Sequence, residues 1–279
     1  MQAGFYAADI TPPLGVNLAG HFITRPANEV HDPLNAIAVV LDDGTSRVAL
    51  VATDLVGVNA DLVGEARELI SAQTGIPPRA VMIWGTHTHA GPVLGSREWH
   101  AQDGDTRELL PGQIAGCVAA AAGRMRPVTL RFGRGHEDRI AFNRRYRMRD
   151  GSVATNPGVG NPAVAAVDGP IDPEVGVLFF DAEDGPLGAI VNHGCHLDVL
   201  GNSNFQYSAD FAWAMRDALR TAYGPQFTAV FANGPCGNIN HINVFAKKRQ
   251  GGFDHCRVMG RTLAGEVMKV DYGAEPIAC

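Results

Sequence analysis

Two hairpin signals lie far apart in the chain. Each is followed by a helical stretch and one more apolar strand, and this order limits the folds available. Residues 35–41 (NAIAVVL) and 47–53 (RVALVAT) are β-rich runs joined through Asp42-Asp43-Gly44, residue types that favour a tight turn. Residues 60–73 carry apolar side chains at helical spacing and end near Gly75-Ile76-Pro77-Pro78. AVMIWG (80–85) then reads as a buried strand. The second half repeats the order. EVGVLFFD (174–181) and GAIVNHG (188–194) form a hairpin around Asp184-Gly185, residues 209–222 a helix, and TAVFANG (228–234) a strand. A strand at 4–10 stopped by Thr11-Pro12-Pro13, helices at 107–124 and 254–270, and a strand at 127–133 complete the expectation. Short hairpins beside crossing helices exclude a purely parallel sheet and point to a mixed α/β fold, with central mixed β-sheets flanked by helices. Residues 141–175, rich in Gly, Pro, Asn and charge, read mostly as loop, and no repeat of fixed period is visible.

At 279 residues the chain can bury one large α/β core or two smaller ones, and the pattern favours one domain. A net charge of −6 without a basic stripe argues against nucleic acid as a partner, because the single dense run, Arg144 to Arg149, is too short to act as one. No apolar run approaches the roughly 20 residues that span a bilayer. The N-terminus lacks the basic and apolar regions of a secretory signal. Five cysteines, at 117, 195, 236, 256 and 279, are an odd number without framework spacing. These features together give the expectation of a reduced, cytoplasmic protein.

Four stretches carry chemistry. In MIWGTHTHAGP (82–92), His87 and His89 share a face and converge if extended geometry continues past the strand. NHGCHLDVLG (192–201) offers His193, Cys195 and His196, with Asp198 beyond; His193 and Cys195 share one parity, so one can be a core residue while His196 turns outward. FANGPCGNINH (231–241) places Asn238, Asn240 and His241 on a glycine turn, where they can orient a substrate or hold an oxyanion, and Cys236 is a possible nucleophile. FNRRYRMRD (142–150) supplies Arg144 or Arg145 as a clamp for a carboxylate. His21, His100, His136 and His255 read as surface or satisfied histidines, whereas His31-Asp32 is open to a supporting role.

In family order, DITPPLGVNLAGH (9–21), HDPLNAIAVVLDDG (31–44), VALVATDLVGV (48–58), THTHAGP (86–92), FNRR (142–145), GPIDPEVGVL (169–178), CHLDVLG with YSADF (195–211) and NGPCGNINH (233–241) resemble the N-terminal region of the neutral/alkaline non-lysosomal ceramidases and their shorter bacterial relatives. The resemblance implies that residues 1–279 form the catalytic N-terminal domain, that His87 and His196 bind zinc, and that His89 acts beside the metal. It also implies that Arg144 binds the polar head of the substrate. Two departures matter. The family's catalytic serine position is occupied by Asn240, which cannot attack as a nucleophile but can donate a hydrogen bond. The family's later glutamate and tyrosine ligands come from a segment this sequence does not reach, so Asp54, Asp198, Asp210, Cys195, His241 or a partner chain are open as replacements.

The reading that follows is a zinc hydrolase using metal-activated water on an amide, ester or lactone of a small polar substrate, ceramide excepted. His89, Arg144 and Asn240 would be its catalytic groups, Arg144, Asn238 and His241 its substrate contacts, and His87 and His196 its metal ligands, with a homo-oligomer or partner chain completing the site. The alternatives are a degenerate, non-catalytic relative that binds a small acidic ligand or a partner, and a cysteine hydrolase using Cys236.

Overall fold

The computed structural model describes residues 1–94, 104–248 and 250–278; His100 and Cys279, both named above, lie outside them. The first hairpin and the strand after it belong to one five-stranded sheet, in the order Val81–Gly85, Arg47–Thr53, Asn35–Asp42, Gln2–Asp9, Arg126–Pro127. The second sheet runs Thr228–Asn233, Gly185–His193, Glu174–Ala182, Thr129–His136, Glu275–Pro276. Each sheet is antiparallel except at one edge. There a helical crossover returns the chain parallel to its neighbour, Val81–Gly85 beside Arg47–Thr53 and Thr228–Asn233 beside Gly185–His193.

The crossover helices follow from local signals. Helix α1, Ala60–Thr74, begins where the Asn59 side chain accepts from Leu62 N (2.9 Å) and stops at Gly75, whose φ of 74° suits glycine. It buries Leu62, Ala66 and Ile70, one residue per turn. Helix α2, Gly104–Ala122, packs with α1 on the outer face of the first sheet, burying Leu110, Ile114 and Val118. Helices α3, Phe211–Tyr223, and α4, Phe253–Gly273, cover the outer face of the second sheet in the same way. They approach so closely that a Cβ on Gly260 would lie 2.5 Å from Met215 N and Phe211 O. The inner faces of the two sheets meet through Ala3, Phe5, Ile37, Val39, Ala52, Leu130, Phe180 and Val230, with Phe5 and Phe180 edge to face at 5.0 Å. The layers are therefore helix, sheet, sheet, helix, which bears out the mixed α/β class.

The 141–175 segment departs from the loop expected of it. Arg145–Met148 pairs with Val153–Thr155 on one side and Val164–Val167 on the other, and Tyr146, Val164 and Val244 form a small core beneath. Strands of three or four residues with alternating arginines carry too little apolar pattern to be seen in sequence. Among the described residues no helix is long and apolar enough to cross a membrane.

A buried ion pair holds the two halves together. Arg216 of α3 donates two hydrogen bonds of 2.7 Å to Asp54, which lies just past Arg47–Thr53 and has no exposure. Removing one partner leaves a buried charge unpaired. Asp54→Ala should therefore destabilise the fold by about 3–5 kcal/mol, and Asp54→Leu combined with Arg216→Met should recover most of that loss in urea unfolding.

Candidate metal centre

All of the singled-out histidine motifs leave strand C-termini on one side of the parallel pairs, where α/β sheets place their ligands. The loop after Val81–Gly85 and the loop after Gly185–His193 pair with each other. Thr88 forms a parallel bridge with Leu197, His89 N donates to Leu197 O (2.9 Å), and Thr88 Oγ1 donates to Ser208 O (2.8 Å). Asn233 ties in the third loop by donating to Thr86 O (3.1 Å) and accepting from Cys195 N (3.2 Å).

The chain does not stay extended after Gly85. His87 has φ 75°, a left-handed conformation rare outside glycine, and this turn, rather than strand parity, aims both rings at one point. His87, His89 and His196 present ligand nitrogens within 4.8 Å of one another. His87 Nε2 lies 3.1 Å from His196 Nε2 and 3.5 Å from His89 Nε2.

The protons can be assigned from the partners. A carbonyl only accepts, so His87 Nδ1–H donates to Val56 O (2.7 Å) and His196 Nδ1–H donates to Cys236 O (3.1 Å). Neutral rings so fixed turn two Nε2 lone pairs toward each other at 3.1 Å, a repulsive arrangement that a cation between them relieves. A tetrahedral ion with nitrogen bonds of about 2.0–2.1 Å sets its ligand nitrogens roughly 3.3 Å apart, between the two distances seen here. The donor set fits such an ion.

Burial keeps the His89 and His196 imidazoles neutral. It lowers the pKa of His196, and it lowers that of His89 to about 3, with the neighbouring histidines adding to the effect and Asp198 opposing it. Burial alone would raise the Asp198 carboxyl, but the hydrogen bond from His21 Nε2 (2.9 Å) and the nearby imidazoles hold it below its ordinary value.

Of the two expectations for His21, surface or satisfied, the second holds: it sits beside the cluster with Asp198 as its partner. Arg25 was not singled out in the sequence at all, yet it is fully buried and donates to the carbonyls of Ala19, His89 (2.8 Å), Gly201 (3.2 Å) and Asn204 (3.3 Å). The one sequence signal for His21 was its position at the end of the DITPPLGVNLAGH stretch.

The remaining candidates divide between two cavities that share His196. A cavity of about 470 Å³ holds His21, His87 and His89 with Phe22, Val56, Val58, Val93 and Leu94. A second, of about 320 Å³, holds Arg144, Asn156, Asp198, Ser203, Asn240 and His241. Arg144 Nη2 donates to Gly237 O, and Asn240 Nδ2 donates to Asn156 Oδ1 (2.9 Å). Burial lowers the His241 pKa to about 4, with His255 adding to the shift. Asn238 is exposed, and its carbonyl accepts from Arg144 N (2.8 Å).

Among the possible replacement ligands, Asp54 is occupied by Arg216. Asp210 caps α3, accepting from Phe211 N (2.7 Å) and Val199 N (2.9 Å), and Cys195 is fully buried in the core. His193 is also buried, its Nδ1–H donating to Glu174 O (3.1 Å). His31 and Asp32 act at the base of α3, where Asp32 accepts from His31 Nδ1 (2.8 Å), Ser208 Oγ and Ala209 N (2.8 Å). Burial pushes the Cys236 thiol up, the reverse of what activates a nucleophile.

Across known proteins, the chain is 28% identical over 194 residues to neutral ceramidase of Pseudomonas aeruginosa, a match covering 63% of this chain and 26% of that protein. The crystal structure of neutral ceramidase from Pseudomonas aeruginosa superposes with a TM-score of 0.78 at 22% identity, and a structure of ceramidase complexed with C2 with 0.77 at 23%. The chain is neutral-ceramidase-like. Each superposition covers 97% of this chain but 44% of the solved one, so this chain spans less than half of the neutral ceramidase structure and about a quarter of the full-length relative. No family model matches the chain.

The low pKa of His89 has a consequence for metal-free protein. Between pH 6.5 and 3 the unfolded ring binds a proton that the folded ring refuses, so this residue's share of stability falls as pH falls. His89→Gln should flatten the dependence of unfolding free energy on pH in that window by up to about 1.4 kcal/mol per pH unit, measured by urea denaturation of native and variant protein in chelator.

Proposed function

We propose that this chain is a zinc-dependent hydrolase that cleaves an amide, ester or lactone in a small polar substrate with metal-activated water. The observation that carries this reading is the pair of carbonyl-locked imidazoles, His87 and His196, whose free Nε2 atoms face each other at 3.1 Å. His87 and His196 would hold the ion, and His89 Nε2 is close enough to serve as the third nitrogen. Bound zinc supplies Lewis acidity at a carbonyl oxygen and lowers the pKa of a coordinated water toward about 7.

The chain's own residues give the reaction its direction. Val56, Val58, Val93 and Leu94 take the apolar arm of the substrate on one side of the centre. On the other side Arg144 and His241 bind the polar arm, Arg144 matching a carboxylate with its planar fork. Asn240 gives one amide hydrogen to Asn156 and keeps the second for an oxygen that gains charge during the reaction. Its amide cannot attack a carbonyl, which supports water as the nucleophile and a substrate other than ceramide. In this reading His89, expected to act beside the metal as a catalytic group, also stands as a candidate third ligand, its Nε2 3.5 Å from His87 Nε2 within the same cluster.

Freshly purified protein should carry about one zinc per chain, and His87→Ala or His196→Ala should lose it together with hydrolysis of acyl esters, N-acyl amino acids or lactones. A native chain with no zinc and no zinc-stimulated hydrolysis overturns the proposal. Arg144→Ala should raise KM for carboxylate-bearing substrates roughly 10–100-fold with a smaller change in kcat, read from initial rates.

A further inference from the structure

His89 lacks what His87 and His196 have, a carbonyl to take the Nδ1 proton. Among the described residues its buried Nδ1 has no hydrogen-bond partner, and Asp198 Oδ1 lies 3.8 Å from it. Asp198 is in turn held by His21 Nε2 at 2.9 Å, and the His21 and His89 rings meet edge to face at 5.4 Å. The loop that carries His21 is shaped to the His89 ring. Gly20 has φ 89°, and a Cβ there would sit 2.3 Å from His89 Cγ and Nδ1. Arg25 donates to both Ala19 O and His89 O, fixing the two backbones against each other. A buried ring facing a carboxylate that another histidine has already oriented is an arrangement with chemical meaning.

We infer that Asp198, steered by His21, is the positioning residue that accepts the Nδ1 proton of His89 and thereby directs the unprotonated Nε2 toward the metal. The inference rests on the zinc reading above. A metal-bound imidazole needs its remaining proton on the far nitrogen, and a carboxylate there fixes both tautomer and ring orientation. The same three donors, His21, His89 and Asp198, lie within 4.8 Å of one another and could together take a cation. The direct His21–Asp198 hydrogen bond already satisfies two of them without one, so the positioning role is the stronger reading.

The test uses the full chain, zinc chloride and competition with a chromophoric chelator. Asp198→Asn should weaken zinc binding about 10–100-fold, Asp198→Glu should restore most of it, and His21→Gln should fall between them. Far-ultraviolet circular dichroism should stay that of the native chain. Long-range proton–nitrogen NMR of zinc-loaded native protein should place the His89 proton on Nδ1, a readout that needs no variant to fold. Native zinc affinity in Asp198→Asn, the His89 proton on Nε2, or two zinc ions per chain overturns the inference. The two readings fail separately. Zinc lost in His87→Ala but held normally in Asp198→Asn sinks this inference alone, whereas zinc retained in His87→Ala sinks the zinc reading.

Discussion

The buried carboxylate of Asp54 is the point at which the two halves of the molecule are registered. It accepts from Asn35 N (2.9 Å), from Thr86 Oγ1 (3.2 Å) and twice from Arg216, so one side chain joins three strand ends of the first sheet to a helix of the second half. Thr86 immediately precedes His87, and His87 N donates to Leu55 O (3.0 Å) one residue beyond Asp54. The left-handed turn at His87 therefore stands on a fixed base. An unusual backbone conformation of this kind persists only where its surroundings over-determine it, and two hydrogen-bonded strand ends and an ion pair supply that constraint. An isolated buried pair is weak evidence of net stability. Its contribution here is geometric, because it decides where the first histidine loop sits relative to the second.

Given that register, the chemistry of the centre follows from proton placement. Carbonyls of Val56 and Cys236 fix the tautomers of His87 and His196, and burial keeps His89 and His196 neutral. The protein thus holds lone pairs in close opposition, and a cation bound there would bring a stabilisation correspondingly larger than at a flexible, solvated pair. Arg25 adds an unexpected element. Its fully buried guanidinium touches four carbonyls, and burial lowers its pKa while Asp198 opposes that shift. A positive charge beside a cation site looks unfavourable, but the carbonyl dipoles and Asp198 screen it, and its hydrogen bonds hold the loops bearing His21 and His89.

What could be read in the sequence was whatever its neighbours determine. The Asp42-Asp43-Gly44 turn, the apolar spacing over 60–73 and the Gly75 stop each act within a few residues, and the hairpins and α1 form where their signals lie. The convergence of His87 with His196 was legible through resemblance and not through spacing, since 109 residues separate them. His21 and Asp198 are 177 positions apart, and no local pattern marks their contact. Arg25 gave no signal because a lone arginine after an Ile-Thr pair looks like an ordinary surface residue. The small sheet within 141–175 was hidden for another reason. Its strands draw much of their burial from Val244 and Ile242, which lie in a distant loop, so their own apolar content is low.

The same long-range character explains why neither half alone assembles the histidine cluster. Each half has a hairpin, a crossover helix and a parallel edge strand, and each ends strands in polar loops on the same side. The first half owns His87 and His89, and the second owns His196, Asp198, Asn240 and His241. Neither set alone contains the three-nitrogen cluster of His87, His89 and His196. The Thr88–Leu197 bridge joins the two histidine loops, and the inner faces of the sheets meet through Phe5 and Phe180. The His87–His89–His196 cluster draws its donors from both halves. An ion held there would stabilise the docked state by mass action. The sheet interface and the histidine cluster are in this sense one structural problem, because His87 belongs to the first half and His196 to the second and their Nε2 atoms lie 3.1 Å apart.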